Sequence, residues 1–382
     1  MRPSKLPGVG TTIFTVMSRL AAEHGAINLG QGFPDFQPPE RLLALVAEHL
    51  AAGHNQYAPM AGLPALCQAI SADAGRRHGW SVDAAQEVTI TAGATEALFA
   101  TIHAVVRAGD EVVLLDPSYD SYAPAAVLAG ARVLRVPLRL PDFRIDYERL
   151  AAAITPRTRL LVVNTPHNPT GSVLDAADWE RIADLLAPHD AYVLSDEVYE
   201  ALVFDGRRHV GVRSNARLTP RSFAVYSFGK MLNATGWKIG YCIAAPALTA
   251  EFRKVHQFLT FAVSTPMQHA IADFLREAPG FAAGQATFYQ ARRDRFAALL
   301  AGSSFLLRKA AGTYFQLADI SNLSDLSDTE FCQELVRFHG VAAIPLSPFC
   351  DEPLAARLVR FCFAKDDATL TRAAGQLRSI RQ

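Results

Sequence analysis

The sequence predicts an α/β protein with a mainly parallel sheet of about seven strands and a smaller α+β domain. Between residues 88 and 245, short apolar runs rich in β-branched residues alternate with amphipathic helical patterns. Most of these runs are apolar on both faces, as strands buried between two layers of helices must be. After residue 250 the alternation stops, and long helical patterns precede a second group of strand-like runs.

The large sheet is predicted from seven runs in chain order. They cover residues 88–93, 111–117, 131–138, 159–166, 191–197, 222–229 and 238–245. Helical patterns fill the gaps, as in ATEALFATIHAVV and DAADWERIADLLAPH, where apolar residues recur three and four positions apart. Asp175 and Asp178 are both candidate N-caps of the second of these helices. Residues 230–237 are too few for a parallel crossover helix, so one of the last two strands is predicted to run antiparallel.

The change of pattern along the chain predicts three segments. Residues 1–40 form an N-terminal arm and part of the small domain, residues 41–290 form the large domain, and residues 291–382 form the small C-terminal domain. Long helices are expected in residues 247–300. The runs TYFQLADIS, VAAIPLSPF and LVRFCFAK predict the strands of the small domain.

Charge and cysteine content exclude several classes of protein. Lys and Arg number 37 and Asp and Glu number 37, so no basic excess predicts binding to nucleic acid or to an anionic membrane. The five cysteines are odd in number and form no Cys-x-x-Cys pair, which predicts reduced thiols. No apolar run approaches the ~18 residues that span a bilayer, and the N-terminus lacks the apolar region of a secretory signal. A cytoplasmic protein is therefore expected.

Polar segments follow five of the predicted strands at their carboxyl ends, where ligands bind in open α/β sheets. These segments are GATEAL, PSYDSY, HNPTG, SDEVYE and SFGK. Gly93-Ala94-Thr95 forms a turn at a helix N-terminus, where free N–H groups and the helix dipole favour a phosphate. Taken alone, such a turn more often reflects ordinary strand–helix packing.

Four side chains at these strand ends carry the chemistry. Asp196 follows the apolar run AYVL, and a carboxylate at such depth needs a cation or a proton donor, or else serves as a helix cap or structural ion pair. Tyr199 lies three residues on and can share its face, while Asn168 alone is typical of a proline-flanked turn. Lys230 alone is most often a surface lysine, although the pKa of such an amine can be lowered. Together with the phosphate turn they favour pyridoxal 5'-phosphate held as an imine.

Eight blocks of the sequence also occur, in this order, in a known family. They are NLGQGFPDFQPP, NQYAPMAGLPALCQAI, TAGATEALFA, DPSYDSYAP, NTPHNPTG, SDEVYE, SFGKMLNATGWKIGY and RFCFAKDD. Over nearly its whole length the chain resembles the fold-type I pyridoxal-phosphate enzymes of the class I aminotransferase family, within it the methionine aminotransferase and kynurenine–glutamine aminotransferase branch. The resemblance implies a homodimer with shared active sites that transfers the amino group of an amino acid to a 2-oxo acid.

The resemblance implies roles for the residues around the cofactor ring. Lys230 binds the cofactor aldehyde covalently and, once displaced by the substrate amine, moves a proton between substrate and cofactor. Asp196 pairs with the ring nitrogen and keeps it protonated. Tyr199 and Asn168 hydrogen-bond the ring hydroxyl, and Tyr119 stacks on the ring face.

The resemblance also implies contacts to the cofactor phosphate and to the substrate. The phosphate contacts are Gly93, Ala94, Thr95, Ser227, Lys238 and, from the neighbouring subunit, Tyr57. Many relatives have Arg in place of Lys238, and Lys keeps the charge without the bidentate fork. The substrate contacts are Gly32, Asn168, Arg360 and the lid candidates Phe14 and Phe33. Arg360 matches the arginine that clamps the substrate α-carboxylate with two parallel hydrogen bonds.

Composition near the expected side-chain pocket favours neutral substrates. The segment QFLTFAVSTPMQ, where a partner subunit would contribute, contains no Arg for a distal carboxylate, and the available pocket residues are aromatic. Aromatic walls favour aromatic, apolar or sulfur-containing amino acids, with methionine favoured over aspartate. Kynurenine or glutamine transamination and cysteine-S-conjugate β-lyase activity are alternatives on the same scaffold.

Two further alternatives belong to other classes of protein. Ser227 and Lys230 have the Ser-x-x-Lys spacing of serine acyl-enzymes, but the chain lacks the Lys-Thr-Gly element expected with it. A cofactor-sensing regulator would need a fused DNA-binding domain, and residues 1–40 are too few and not basic enough to form one.

Overall fold

The computed structural model describes residues 3–380. Its α-helices are α1 Ile13–Glu23, α2 Glu40–Ala51, α3 Pro64–His78, α4 Gly93–Val105, α5 Tyr122–Leu128, α6 Tyr147–Ala153, α7 Ala176–Leu186, α8 Phe228–Met231, α9 Pro246–Leu259, α10 Thr265–Glu277, α11 Phe281–Leu299, α12 Asp328–His339 and α13 Asp367–Arg378. Its strands are β1 Ile27–Asn28, β2 Val88–Thr91, β3 Glu111–Asp116, β4 Arg132–Pro137, β5 Thr158–Asn164, β6 Tyr192–Asp196, β7 Ser222–Ser227, β8 Gly240–Ala244, β9 Leu306–Arg308, β10 Phe315–Asp319, β11 Val341–Ala342, β12 Ile344–Pro345 and β13 Leu358–Cys362. Within residues 3–380, no helix is both long and apolar enough to cross a membrane.

A seven-stranded sheet forms the centre of the larger part, in the order β2-β8-β7-β6-β5-β3-β4. Strands β3 to β7 pair in parallel, whereas β8 runs antiparallel to both of its neighbours. Every residue of β2, β3 and β8 is buried, because helices cover both faces of the sheet. The seven predicted strands, the mainly parallel sheet and the single reversed strand next to residues 230–237 are confirmed.

Two hydrophobic cores lie on opposite faces of this sheet. In β3, Val112 and Leu114 pack into one core together with Ile102 of α4. Val113, between them, packs into the other core, which also contains Trp179 of α7. Successive side chains of a strand point to opposite faces, so the apolar run of β3 serves both cores at once.

Helix α7 shows how the two candidate caps are used. Asp175 is the N-cap, and its carboxylate accepts a hydrogen bond from the Asp178 N–H at 3.0 Å. The Asp178 carboxylate accepts in return from the Asp175 N–H at 2.9 Å. Each carboxylate satisfies one free N–H group of the first turn, which completes a capping box.

The second sheet is antiparallel and has the order β12-β13-β10-β9. Strand β9 was not predicted, because it is only three residues long and partly exposed at the sheet edge. The N-terminal strand β1 pairs in parallel with β11, with Ile27 opposite Val341. This pairing fits the predicted contribution of the N-terminal segment to the small domain, while the limits 1–40, 41–290 and 291–382 stay a prediction.

Candidate active site

The carboxyl ends of the central strands open into one cavity of about 240 Å³. Most of the predicted site residues line it: Phe14, Gly32, Gly93, Ala94, Thr95, Tyr119, Asn168, Asp196, Tyr199, Ser227, Lys230, Lys238 and Arg360. They come from the N-terminal segment, from the first turn of α4, from the ends of β3, β5, β6 and β7 or the segments that follow them, from the turn before β8, and from β13 of the second sheet. The fold therefore gathers side chains that are far apart in sequence.

One end of the cavity is formed by the first turn of α4. The N-cap residue of this helix, Ala92, has no side chain that can cap the first N–H groups, so the groups are available to a ligand. Lys238 places its Nζ 3.2 Å from the Thr95 hydroxyl. Gly93 has φ +72°, and a Cβ there would lie 3.2 Å from Lys238 Nζ. Glycine thus allows both the turn and the approach of the ammonium group to a helix end suited to an anion.

Asp196 also lines the cavity and is 4% exposed. Tyr122 donates its hydroxyl proton to Asp196 Oδ2 at 2.6 Å, and the Val198 N–H points at Oδ1 from 3.3 Å. Burial raises the pKa of this carboxyl group to about 6, although the hydrogen bond from Tyr122 opposes the shift. The two hydrogen bonds offset only part of the free-energy cost of burying this carboxylate. Such a group is expected where a cation binds.

Two residues beside Asp196 were missed by the sequence analysis. Tyr122 begins α5 and packs edge-on against Tyr119, with ring centroids 5.7 Å apart. Asn164 ends β5, donates to the Asp196 backbone carbonyl at 2.8 Å and accepts from the Asn168 N–H at 2.7 Å. The rule that polar residues follow strand ends would have found Asn164. No local pattern distinguishes Tyr122 from a core tyrosine.

Side chains of the segment SDEVYE, residues 195–200, point in two directions. Asp196 and Tyr199 face the cavity, whereas Glu197 and Glu200 are buried behind them. Glu197 accepts hydrogen bonds from Ser195, His209, Tyr226 and the Val212 N–H. Glu200 pairs with Arg77 at 2.7 Å and with His78 at 3.1 Å. These two satisfied carboxylates hold the turn rigid, which fixes the position of Asp196 and Tyr199.

Lys230 follows β7 in the short helix α8 and points into the middle of the cavity. Its Nζ is 3.4 Å from the Gly32 carbonyl oxygen and 5.7 Å from the ring centroids of both Tyr199 and Tyr314. The pKa of the amine is lowered from 10.5 to about 8, mainly by burial and in part by the positive charge of Lys238. At neutral pH a much larger fraction of this amine is unprotonated than of a surface lysine.

Ser227 lines the same cavity and is not part of a Ser–Lys pair. It is the residue that precedes α8, and its side chain makes no capping hydrogen bond to that helix. Among the side-chain hydrogen bonds of residues 3–380, none joins Ser227 to Lys230, and Lys230 points instead at Gly32. The geometry does not support the serine acyl-enzyme alternative.

Arg360 is 1% exposed and enters the cavity from β13. It donates to Asn168 Oδ1 at 2.7 Å and to the Gly30 carbonyl at 3.0 Å, and its guanidinium lies 3.8 Å from the Phe315 ring centroid. Its Nε is buried without a hydrogen-bond partner within residues 3–380. Burial lowers the pKa of the group, but a guanidinium stays charged at neutral pH. An unpartnered donor on a buried cation indicates an anionic ligand.

The N-terminal segment closes the cavity over Lys230. Tyr314 donates its hydroxyl proton to the Gly32 carbonyl at 2.5 Å. A Cβ on Gly32 would come within 2.8 Å of the Phe315 ring, so only glycine allows the backbone this close. Phe14 packs on Phe349, with ring centroids 5.5 Å apart, at the rim of the same cavity.

Two predicted site residues lie outside the cavity. Tyr57 is 85% exposed and contacts Phe261, with ring centroids 5.5 Å apart. Phe33 is 45% exposed and lies over Lys365, whose Nζ is 4.9 Å from the ring centroid. The role of Phe33 in a substrate lid stays a prediction, and so does the contact of Tyr57 with the cofactor phosphate of a neighbouring subunit.

The fold and the grouping of a buried lysine, a buried carboxylate and an open helix N-terminus define a fold-type I α/β enzyme. Residues 24–377 match the model of the aminotransferase class I and II family, and the chain belongs to this family. It is 51% identical over 377 residues to the methionine aminotransferase of Escherichia coli (strain K12), covering 99% of this chain and 98% of that relative. It is 34% identical over 404 residues to kynurenine–oxoglutarate transaminase 1 of Mus musculus, covering 97% and 95%.

Solved structures agree with this assignment. The crystal structure of YbdL from Escherichia coli, for which a methionine aminotransferase function was identified, superposes with a TM-score of 0.97 at 50% identity, covering 99% of both chains. N-succinyldiaminopimelate aminotransferase from Mycobacterium tuberculosis superposes with a TM-score of 0.96 at 42% identity, covering 100% of both chains. The chain is an aminotransferase of a family that uses pyridoxal phosphate, as the sequence motifs predicted.

Proposed function

We propose that this protein transfers the amino group of a neutral L-amino acid, with methionine favoured, to a 2-oxo acid, using pyridoxal phosphate in the cavity described above. The observation that carries the proposal is the position of Lys230. Its buried amine, with a pKa of about 8, lies in one cavity with the Asp196 carboxylate, the Arg360 guanidinium and the first turn of α4. Each of these groups matches one part of the cofactor or of an amino acid.

The residues present fit the cofactor. The first turn of α4, with Thr95, Ser227 and Lys238, would hold the phosphate, and Asp196 would meet the protonated ring nitrogen. Tyr119 would stack on the ring, while Tyr199 and Asn168 would reach its hydroxyl group. When bound, pyridoxal phosphate supplies an aldehyde that takes up the amino group and a ring that withdraws electrons from the substrate Cα.

The chain itself supplies binding, orientation and proton transfer. Lys230 would take a proton from the substrate Cα onto Nζ and pass it to the C4' carbon of the bound cofactor, because its pKa of about 8 is close to the operating pH. Arg360 would hold the substrate carboxylate by two parallel hydrogen bonds and so orient the Cα–H bond. Tyr314 fixes the Gly32 carbonyl, which places the N-terminal segment over Lys230 and excludes water.

Cofactor uptake should depend on pH through the Lys230 amine. We expect the rate at which cofactor-free protein takes up pyridoxal phosphate covalently to rise with pH, with a midpoint near pH 8, and then to level. The sign follows because the unprotonated amine is the nucleophile and burial lowers its pKa. Stopped-flow absorbance from pH 6 to 10 measures this rate. A rate that keeps rising to pH 10 would indicate an amine of ordinary pKa.

Charge in the cavity favours a neutral substrate side chain. The cationic residues that line it are Lys230, Lys238 and Arg360, and each is already assigned to the cofactor or to the α-carboxylate. Within residues 3–380 no further cation lines the cavity to meet a second, distal carboxylate. The remaining walls include Phe14, Leu98 and Phe315, which suit an apolar or thioether side chain.

Similarity to known enzymes favours methionine over kynurenine as the amino donor. The chain is 51% identical to the methionine aminotransferase but only 34% identical to the kynurenine–oxoglutarate transaminase. Cysteine-S-conjugate β-lyase activity stays an alternative, because it begins with the same loss of the Cα proton. Steady release of pyruvate and ammonia from a cysteine S-conjugate, without any 2-oxo acid, would favour it.

A visible absorbance spectrum tests the proposal as a whole. Protein purified with pyridoxal phosphate should show a visible band that shifts when L-methionine is added and returns when a 2-oxo acid follows. D-Methionine and L-aspartate serve as matched ligands, and each should produce a smaller shift at the same concentration. Protein that stays colourless after incubation with the cofactor would refute the cofactor assignment.

Substitution of Arg360 tests the carboxylate site. We expect Arg360→Ala to lower kcat/KM for methionine by about 100-fold or more, mainly through KM, because charge-assisted hydrogen bonds contribute about 1.5–3 kcal/mol each. Arg360→Lys keeps the charge, loses the fork and should recover only part of the loss. Arg357→Ala, at a half-buried arginine that directly precedes β13 and does not line the cavity, is the control. An unchanged KM in Arg360→Ala would remove this residue from the substrate site.

We also propose that the active unit is a homodimer in which Tyr57 reaches the cofactor phosphate of the partner subunit. Four large apolar side chains are exposed to solvent in one chain. Tyr57 is 85% exposed and contacts Phe261, which is 45% exposed. Phe258 and Leu259, just before Phe261 in the sequence, are 87% and 46% exposed. An apolar group of this kind suits a subunit interface. Sedimentation at micromolar concentration should give twice the chain mass, and a monomer would contradict the proposal.

The predicted cytoplasmic location rests on the cysteines. All five are free, and four of them are buried. This arrangement is typical of a reducing compartment. Cell fractionation with an antibody against the protein would test the location.

A further inference from the structure

Three histidines form a cluster away from the catalytic cavity. His49 lies in the last turn of α2, His54 in the loop that follows, and His269 on α10. One ligand atom from each lies within 4.8 Å of those of the other two, and all three residues are half-buried. His49 Nδ1 and His54 Nδ1 are 2.9 Å apart. Imidazole nitrogens at such spacing are a donor set that Zn²⁺, Cu²⁺ and Ni²⁺ prefer.

A carboxylate orients the first of these rings. His49 Nε2 lies 2.9 Å from Asp273 Oδ2, and Asp273 is one helical turn beyond His269 on α10. When His49 Nε2 donates to this carboxylate, His49 Nδ1 carries the lone pair, which faces His54 Nδ1. Metal-binding histidines are typically oriented by a carboxylate in this way.

The third ring, that of His269, packs against the other two. It stacks on the ring of His54, with centroids 4.0 Å apart, and on the ring of His49, with centroids 5.0 Å apart. The packing brings ring nitrogens of all three histidines together at a half-buried place where α2 and the loop after it meet α10.

We propose that His49, His54 and His269 form a binding site for a divalent transition metal of the Zn²⁺ class, with Asp273 as the carboxylate that orients His49. The fourth position is open to water, as in three-histidine sites. A bound ion joins the end of α2 and the loop at residues 52–57 to α10, and so fixes the segment that leads to Tyr57. None of the three histidines lines the cofactor cavity, so metal binding can be measured separately from catalysis.

Calorimetric titration with Zn²⁺ tests the site on cofactor-loaded protein dialysed against a chelator and then freed of it. We expect one Zn²⁺ per chain, and X-ray absorption should show nitrogen ligands at about 2.0–2.1 Å. His54→Gln and His269→Gln should each weaken binding at least tenfold, and Asp273→Asn about 10–100-fold. His24→Gln, at an exposed histidine remote from the cluster, should bind as the unmodified protein does.

Thermal unfolding provides a second readout that also reveals a folding defect. Without metal, the variants should unfold at temperatures close to that of the unmodified protein, because the three side chains are only half-buried. Added Zn²⁺ should raise Tm for the unmodified protein and for His24→Gln, but not for His54→Gln or His269→Gln. Equal binding by all variants would place the metal on the cofactor phosphate or elsewhere. That result, or the absence of saturable binding, would overturn the proposal.

Discussion

Replacing Lys230 by Ala should reduce transamination of methionine by at least about 10⁴-fold, the largest loss expected from any single substitution in this chain. The Lys230 amine has two roles in the proposed reaction. It attaches the cofactor covalently, and it transfers the proton at the substrate Cα. Positioned acid–base catalysis alone contributes about 10²–10⁴-fold. Formation of the 2-oxo acid of methionine under saturating acceptor measures the loss.

Two variants separate the chemistry of Lys230 from its charge and bulk. Lys230→Arg keeps a cation in the cavity, but a guanidinium does not lose its proton at neutral pH, so we expect it to be as inactive as Lys230→Ala. Lys254→Ala removes an exposed lysine of α9 whose single ion pair within residues 3–380 is with Glu251, and it should leave turnover unchanged. Turnover in Lys230→Ala within about tenfold of the unmodified enzyme would show that the amine is not essential.

The sequence was informative where one physical rule governs many residues. Strands buried on both faces must be apolar throughout, so all seven strands of the large sheet could be located within a few residues. Parallel strands bring their carboxyl ends to one edge, so the polar segments after them were expected to meet. Asp196, Asn168 and Lys230 do line one cavity, together with the first turn of α4.

The contacts that depend on tertiary geometry could not be predicted. The hydroxyl of Tyr122 reaches Asp196 only because α5 packs beside the end of β6, and nothing in its neighbourhood in the sequence marks it. The contact of Arg360 with Asn168 joins residues 192 positions apart, across the two sheets. The histidines of the metal site proposed here are likewise separated by more than 200 positions, His49 from His269. A residue that acts in another subunit, as proposed for Tyr57, makes its functional contact outside its own chain, so no pairing within the sequence could indicate it.

Replacing Asp196 by Asn should lower kcat by about 10²–10³-fold with a small change in KM, because it removes a preorganised charge and keeps the shape of the side chain. Asn can accept the hydrogen bond from Tyr122, but it cannot hold a protonated ring nitrogen by charge. Asp120→Asn is the matched control, since this carboxylate lies beside the cavity without lining it, and its loss should change kcat by less than about threefold. Equal effects of the two substitutions would contradict a specific role for Asp196.

The pH dependence of cofactor affinity distinguishes the charge of Asp196 from its other contacts. In the cofactor-free protein, burial raises the pKa of this carboxyl group from 3.8 to about 6. The group is therefore ionised above pH 6 and becomes neutral as the pH falls through that value. We expect the dissociation constant for pyridoxal phosphate to rise more steeply below about pH 6 in the unmodified protein than in Asp196→Asn, so that the two proteins converge at low pH. Parallel curves across pH 5 to 8, measured by fluorescence titration, would mean that the Asp196 carboxylate does not bind the cofactor through its charge.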